Sequence, residues 1–368
     1  MRLASFVDAM QALAPLALSE GWDNVGLLAG APTHHVSRVL ACIDLSHSVI
    51  AEALAERCDT VVCYHPPLME GLKSLAGDSP LLAAVRHGLA IYSPHTAWDV
   101  ALGGANDALA DALGLQGGTG RRALRPAAAA TAPLYKLVVF VPEEAADAVS
   151  TAACAAGAGQ IGAYAHCTFR SSGMATFLPG ADSHPAVGQP GELCRPAEVR
   201  LEVVVPEACL QAVGDAVRGA HPYEEPVFDV YRLAAVASQL GIGRIGCLPA
   251  PQAIPQLIAG LKAATGVSQL LHVAALDAPQ ALRRVAVCVG AGDSLLGAAL
   301  RQGCELYVTG ELRHHAALRA KAQGCHVICM RHASSERPGL QALQRRLEHA
   351  ISLPVRLSQA DHEPFAFA

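Results

Sequence analysis

Two hydrophobic rhythms alternate along the first third of the chain. Phe6, Met10, Leu13 and Leu16 recur near helical spacing and predict an amphipathic helix over 5–18. Short apolar runs at 39–43, 60–64 and 90–93 are strand-length and read as buried strands. Between and after them, helical patterns occupy 48–56, 80–87 and 105–113, the last closed by Gly114. This alternation predicts βαβ units and a mainly parallel sheet, in which loops at strand ends carry the chemistry.

The rhythm changes at 117–133, where Gly117-Gly118-Thr119-Gly120 and Pro126-Ala127-Ala128-Ala129-Ala130 predict a connection. A strand at 135–141, a helix at 143–155 and strand-like pieces at 166–170 and 175–178 follow. The Pro/Gly-rich stretch 179–197 reads as a loop, and then come a strand at 199–205, a helix at 209–219 and a strand at 227–231. That order predicts a small split-βαβ, ferredoxin-like unit. Gly241–Gly246 reads as a loop, after which helices at 255–264, 293–301, 314–323 and 341–350 alternate with strands at 284–289, 306–309 and 327–330. The expected organisation is an α/β core assembled from both chain ends, 1–126 and 240–368, with an α+β domain inserted at 134–233.

Composition narrows the partners. The chain of 368 residues is 52% hydrophobic and 16% charged, with a net charge of −5. It lacks the basic footprint of a nucleic-acid binder, and nucleic acid is not the expected partner. Pro133 and Lys136 interrupt the most apolar stretch, 127–141, so no run suits a membrane span. Asp8 and Gln11 break any signal-peptide core behind Met1-Arg2-Leu3, and a cytoplasmic protein is expected. The twelve cysteines are scattered without a CxxC pair. They read as small buried apolar residues in a reducing compartment rather than as a zinc knuckle.

Four places concentrate metal-capable side chains at predicted strand ends: Cys63-Tyr64-His65-Pro66-Pro67, Ser93-Pro94-His95-Thr96-Ala97-Trp98-Asp99, Thr309-Gly310-Glu311-Leu312-Arg313-His314-His315 and Met330-Arg331-His332-Ala333-Ser334-Ser335-Glu336. His95/Asp99 and His332/Glu336 share an i, i+4 spacing, which sets imidazole and carboxylate on one helical face. Ser334 or Ser335 is the expected N-cap of the last helix, placing Glu336 in its first turn. Imidazole with carboxylate suits zinc, iron(II) or manganese. Among sixteen histidines some such spacings arise by chance, and each place alone reads as a cap, turn or polar contact. Gly241-Ile242-Gly243-Arg244-Ile245-Gly246 has dinucleotide-loop spacing but no preceding βα turn, and is not read as a cofactor site. Trp22-Asp23-Asn24 reads equally as a substrate-facing loop or a packed turn.

Glu20-Gly21-Trp22-Asp23-Asn24-Val25-Gly26-Leu27-Leu28 resembles the opening signature of the Nif-three-like family, whose members are often called GTP cyclohydrolase I type 2 homologues. Tyr64-His65-Pro66-Pro67, Tyr92-Ser93-Pro94-His95-Thr96 with Asp99, and Gly104-Ala105-Asn106-Asp107 match it in order. Gly290–Asp293, Thr309-Gly310-Glu311 with His314-His315, and His332 with Glu336 complete the match. His221-Pro222-Tyr223-Glu224-Glu225-Pro226 resembles the inserted PII/CutA-like domain of the longer bacterial members. The resemblance implies two divalent metal ions (zinc, iron or manganese) in a homohexameric ring, with His65, Asp99, His332 and Glu336 as ligands and Glu336 bridging. His95 would stand beside them, either supporting the ligands or handling protons. Where many members have His-His-Pro, this chain has Tyr64-His65-Pro66, so one imidazole is replaced.

Two functions follow as expectations. One is a metal-dependent hydrolase acting on a nucleotide or related small molecule, with His95 or Glu311 moving protons. The other is a non-catalytic, metal-dependent binding or regulatory protein whose insert senses a ligand.

Overall fold

Runs of four apolar residues with no polar alternation need cover on both faces, and this requirement organises the fold. The structure, a computed structural model, describes residues 1–71, 78–117, 120–127, 133–234, 239–276 and 279–366. The chain divides into two units, Met1–Ala130 with Ala237–Ala368, and Thr131–Val236.

In the first unit, β2 (Val39–Cys42), β3 (Thr60–Cys63) and β4 (Ala90–Ser93) are buried at every residue. They run parallel, joined by β15 (Val355–Leu357) beside β2 and an antiparallel β1 (Gly26–Ala29) beside β4. Helices α1 (Leu3–Leu13), α2 (His47–Ala55) and α3 (Pro80–Arg86) belong to this half. Ser46 and Ser79 cap α2 and α3 by accepting from Val49 N–H and Leu82 N–H. The expected helix over 5–18 stops at Leu13, and Leu16–Leu18 forms a separate short turn behind Pro15.

A second sheet has the order β11-β14-β13-β12-β10-β5. Its parallel centre is β12 (Leu282–Ala291), β13 (Leu306–Glu311) and β14 (His326–Cys329). At its margins, β11 (Leu271–Val273), β10 (Gly241–Gln252) and β5 (Arg121–Pro126) add antiparallel strands.

Two expectations are corrected here. The 117–133 connection contains β5, and Gly241–Gly246 is strand rather than loop. The glycines are there for close approach: a Cβ on Gly241 would lie 2.2 Å from the Arg125 carbonyl, and one on Gly246 2.9 Å from the Gly120 carbonyl. Arg244 within the strand is buried and makes a bidentate pair with Asp107, both contacts at 2.9 Å.

The two sheets share one hydrophobic core with α1, α5 (Ala105–Ala112) and α11 (His332–Ile351), which includes Tyr64, Trp98, Val287, Val308 and Leu340. Gly339 lets α5 and α11 touch, since a Cβ there would sit 2.5 Å from that of Ala105. The last helix begins at His332, well before residue 341, and runs through Pro338. Its N-cap is Arg331, so Ser334 and Ser335 lie inside the helix and not before it. Helices α4 (His95–Val100), α8 (Ile254–Thr265), α9 (Asp293–Arg301) and α10 (His314–Ala322) also belong to this unit.

The second unit runs β6 (Leu134–Val141), α6 (Ala146–Ala155), β7 (Thr168–Met174), β8 (Ala197–Pro206), α7 (Leu210–Ala220) and β9 (Phe228–Arg232). Its sheet order is β7-β8-β6-β9, antiparallel throughout. The strand pieces expected at 166–170 and 175–178 are one strand followed by a single bridge between Phe177 and Cys194. Leu137, Val139, Leu201 and Val203 form its core with Val149, Val213 and Val217 of the helices.

Among the described residues no helix is long and apolar enough to cross a membrane. All twelve cysteines are free, six of them buried.

Candidate metal centre

The carboxyl ends of β3, β4, β13 and β14 deliver the chemistry-bearing side chains of the first unit. Tyr64 and His65 extend the β3 ladder, their N–H groups donating to the carbonyls of Cys42 and Ile43 at 2.8 and 3.0 Å. After β14 the chain turns through Arg331 at φ +74°, anchored by Arg331 N–H on the Gly310 carbonyl, and enters α11 at His332. One helical turn on, Glu336 meets His332, as the i, i+4 spacing requires.

These elements bring His65, His332 and Glu336 together, with one ligand atom from each inside a 4.8 Å cluster. Glu336 Oε1 lies 3.2 Å from His332 Nε2 and 3.3 Å from His65 Nε2. The opposite ring nitrogens are also held: His65 Nδ1 is 2.9 Å from Asp44 and His332 Nδ1 is 3.0 Å from Glu311. Carboxylates on Nδ1 orient both rings so that each Nε2 faces the Glu336 carboxylate, where a divalent cation would displace the Nε2 proton. The fit extends to Glu336 itself, whose buried Oε2 makes no well-formed hydrogen bond and lies 3.2 Å from His65 Nε2. A divalent cation between the two imidazoles would satisfy that atom.

Gly290 makes the cluster sterically possible. Its φ is +63°, and a Cβ there would fall 2.9 Å from Glu336 Oε1 and 3.1 Å from His332 Nε2. Ser335 receives Gly290 N–H at 2.8 Å and donates to the His332 carbonyl at 2.7 Å, tying this glycine to the start of α11.

The electrostatics follow the contacts. Burial disfavours charge on His65, but hydrogen bonds to Asp44 and Glu336 prevail and push it up to about 10. Glu336, and then Glu311, raise His332 to about 9 against its burial. Glu336 itself is lowered, because its bonds to His332 and His65 outweigh desolvation. Asp99 moves the other way: desolvation lifts it to about 6 despite His95 and the hydrogen bond from Tyr64.

The remaining expected residues stand around this triad. Asp99 accepts the Tyr64 hydroxyl, and its backbone carbonyl takes Asn106 Nδ2 at 3.0 Å. The His95 ring is 5.5 Å from that of His65 and holds a strained backbone, φ +26°. Asp23 secures it: its buried carboxylate is 2.8 Å from His95 Nδ1 and accepts both the N–H and the hydroxyl of Thr96. Trp22-Asp23-Asn24 is therefore part of the site's wall, with Trp22 62% exposed and edge-on to His95 at 6.0 Å. Glu311 positions His332. Sequence reasoning missed Asp44, Asp23 and Gly290 as working parts. Only Asp23 and Gly290 sat in quoted motifs, and nothing local to Asp44 marks it.

Comparison with known proteins agrees over nearly the whole chain. A GTP cyclohydrolase 1 type 2 homolog of Mycobacterium tuberculosis is 37% identical over 372 residues, covering 99% of this chain and 97% of that protein. One from Bacillus subtilis is 34% identical over 370 residues, with 98% and 97% covered. Among solved structures, a Bacillus cereus protein related to NIF3 superposes with TM-score 0.69 at 32% identity, covering 100% of this chain and 99% of that one. A Staphylococcus aureus protein gives TM-score 0.76 at 25% identity with the same coverage. The family model for Duf34/NIF3 (NGG1p interacting factor 3) matches residues 1–364, and the chain belongs to that family.

Proposed function

We propose that this protein is a metal-dependent hydrolase with a dinuclear centre, acting on a nucleotide or a related small molecule. The carrying observation is the buried Glu336 carboxylate, clustered within 4.8 Å with two imidazole nitrogens whose outer ring nitrogens are already fixed. His65, His332 and Glu336 would hold one ion; a second would draw on Asp99, with Glu336 shared. Bound divalent ions, zinc, iron or manganese, would supply Lewis acidity and lower the pKa of water.

The chain's own groups do the rest. Asp23 accepts from His95 Nδ1–H, which leaves Nε2 available to take a proton from an attacking water and return it to the leaving group. Asp44 and Glu311 orient His65 and His332. The exposed Trp22 indole beside His95 offers a face for a flat heterocycle. This supports a purine nucleotide as the substrate class, in keeping with the name carried by the relatives.

We further propose a homohexamer, and for the second unit a ferredoxin-like domain of PII/CutA type. The β-α-β-β-α-β order and antiparallel sheet support the latter. A second reading, a metal-dependent regulator, is favoured by a roomy cavity in that unit.

The test is direct. Metal-loaded protein is incubated with GTP and a nucleotide panel, beside Asp99→Ala and Glu336→Gln. Turnover abolished in both variants is expected, with metal content falling in Glu336→Gln. Turnover that survives both substitutions overturns the hydrolase reading, and binding without turnover selects the regulator.

A further inference from the structure

The His221-Pro222-Tyr223-Glu224-Glu225-Pro226 segment takes no part in the metal centre, yet it is built with care. His221 donates from Nε2 to the Phe140 carbonyl at 2.9 Å and accepts Tyr223 N–H on Nδ1 at 3.0 Å. Both bonds are met by one neutral tautomer, so the buried imidazole is a strut that fixes the loop.

The strut holds Tyr223, Glu224 and Glu225 on the wall of a cavity of about 680 Å³ lying wholly within the second unit. That volume is in the range of small-molecule sites. Phe140, Phe177 and Tyr223 supply aromatic walls, Phe177 and Tyr223 with ring centroids 6.2 Å apart. Glu198 also lines the cavity; it is only 7% exposed, and no basic side chain pairs with it among the described residues. Beside it the Tyr223 hydroxyl is buried without a well-formed hydrogen bond. Burial, the contact with the Glu198 carboxylate that the hydroxyl faces, and the charge on Glu198 hold that phenol well above its ordinary range, so it stays a neutral donor toward Glu198.

The charge balance has one sign. Three acidic residues, Glu198, Glu224 and Glu225, line the space, against one arginine. That guanidinium, Arg200, is already engaged by Glu202 at 2.9 Å and stacked over Phe140. Glu224 at the rim receives the His184 backbone N–H at 3.0 Å and lies 3.8 Å from the His184 imidazole, which leaves Glu198 and Glu225 as the carboxylates without a nearby cationic partner among the described residues. A buried carboxylate without a cation is costly, and a mobile cation of the right size removes the cost. Aromatic walls favour the same occupant through their negative ring faces.

We propose that this cavity is a binding site for a small organic ammonium ion with an apolar or aromatic body, its charged head on Glu198 and its body between Phe140, Phe177 and Tyr223. The site stands whether or not the metal centre is hydrolytic.

Calorimetric titration of the full chain with 2-phenylethylammonium tests it, with 2-phenylethanol and phenylacetate as neutral and anionic counterparts. The ammonium ion is expected to bind once per chain, with the alcohol at least about 10-fold weaker and the carboxylate not binding. Glu198→Gln should weaken the ammonium ion by about 10-fold or more, while stripping metal with a chelator leaves its affinity unchanged. Equal binding of alcohol and ammonium, an unaltered affinity in Glu198→Gln, or no heat up to about 10 mM ligand overturns the proposal. Should Glu198→Gln fail to fold by circular dichroism, Tyr223→Phe replaces it. A loss of about 3-fold or more then supports the site, and no loss overturns it.

Discussion

Gly290 sits where a methyl group cannot. Its missing Cβ is the space through which Glu336 and His332 approach each other, and its φ of +63° is one that L side chains seldom adopt. Gly290→Ala should therefore displace the carboxylate from its two imidazoles without emptying the hydrophobic core. Zinc affinity is expected to drop by about 10-fold or more, with the melting temperature changed by only a few degrees, as read by calorimetry and thermal unfolding. A variant that binds zinc like the parent would mean that the cluster tolerates a methyl group. The His332/Glu336 pair was legible because both residues sit on one helix, four apart. The Asp44 contact with His65 was not, since the two meet only after β2 and β3 have aligned across 21 positions. Spacing reports what a single element brings together, and folding supplies the rest.

At the scale of elements, the chain following β15 is docked by one carboxylate on α2. Glu52 accepts the Ser358 hydroxyl and the backbone N–H groups of Gln359 and Ala360, the latter two at 2.8 and 3.1 Å. Desolvation pushes its pKa up, but these donors outweigh it and the net shift is downward from 4.5. A depressed folded value gives stability that is complete above the unfolded value and is lost as pH falls through the folded one. The stability difference between the parent and Glu52→Gln should thus be constant from pH 6 to 8 and shrink below about pH 4.5. Denaturant titrations at several pH values measure it, and a difference that grows toward acid would refute the assignment. Elements were legible where apolar runs are plain, as in β2, β3 and β4. They were obscured where function or packing demands unusual residues. Glycines and a buried arginine disguised β10, Arg residues disguised β5, and Pro338 hid the front half of α11.

At the scale of the whole molecule, the register between β5 and β10 carries an unexpected freedom. Pro126 and Gly241 are directly paired neighbours in an antiparallel ladder, so the chain leaves the first unit and returns to it at adjacent points of one sheet. Geometrically those ends are already a hairpin awaiting a turn, which in other proteins takes about 2–5 residues. Replacing 128–238 by such a turn should yield a shortened protein that keeps its zinc affinity and its cooperative unfolding. Failure to fold would mean that the excised unit is needed to pair the two strands. The ladder thus works as a socket: a module can be plugged in, exchanged or lost there while every strand of the core keeps its partner.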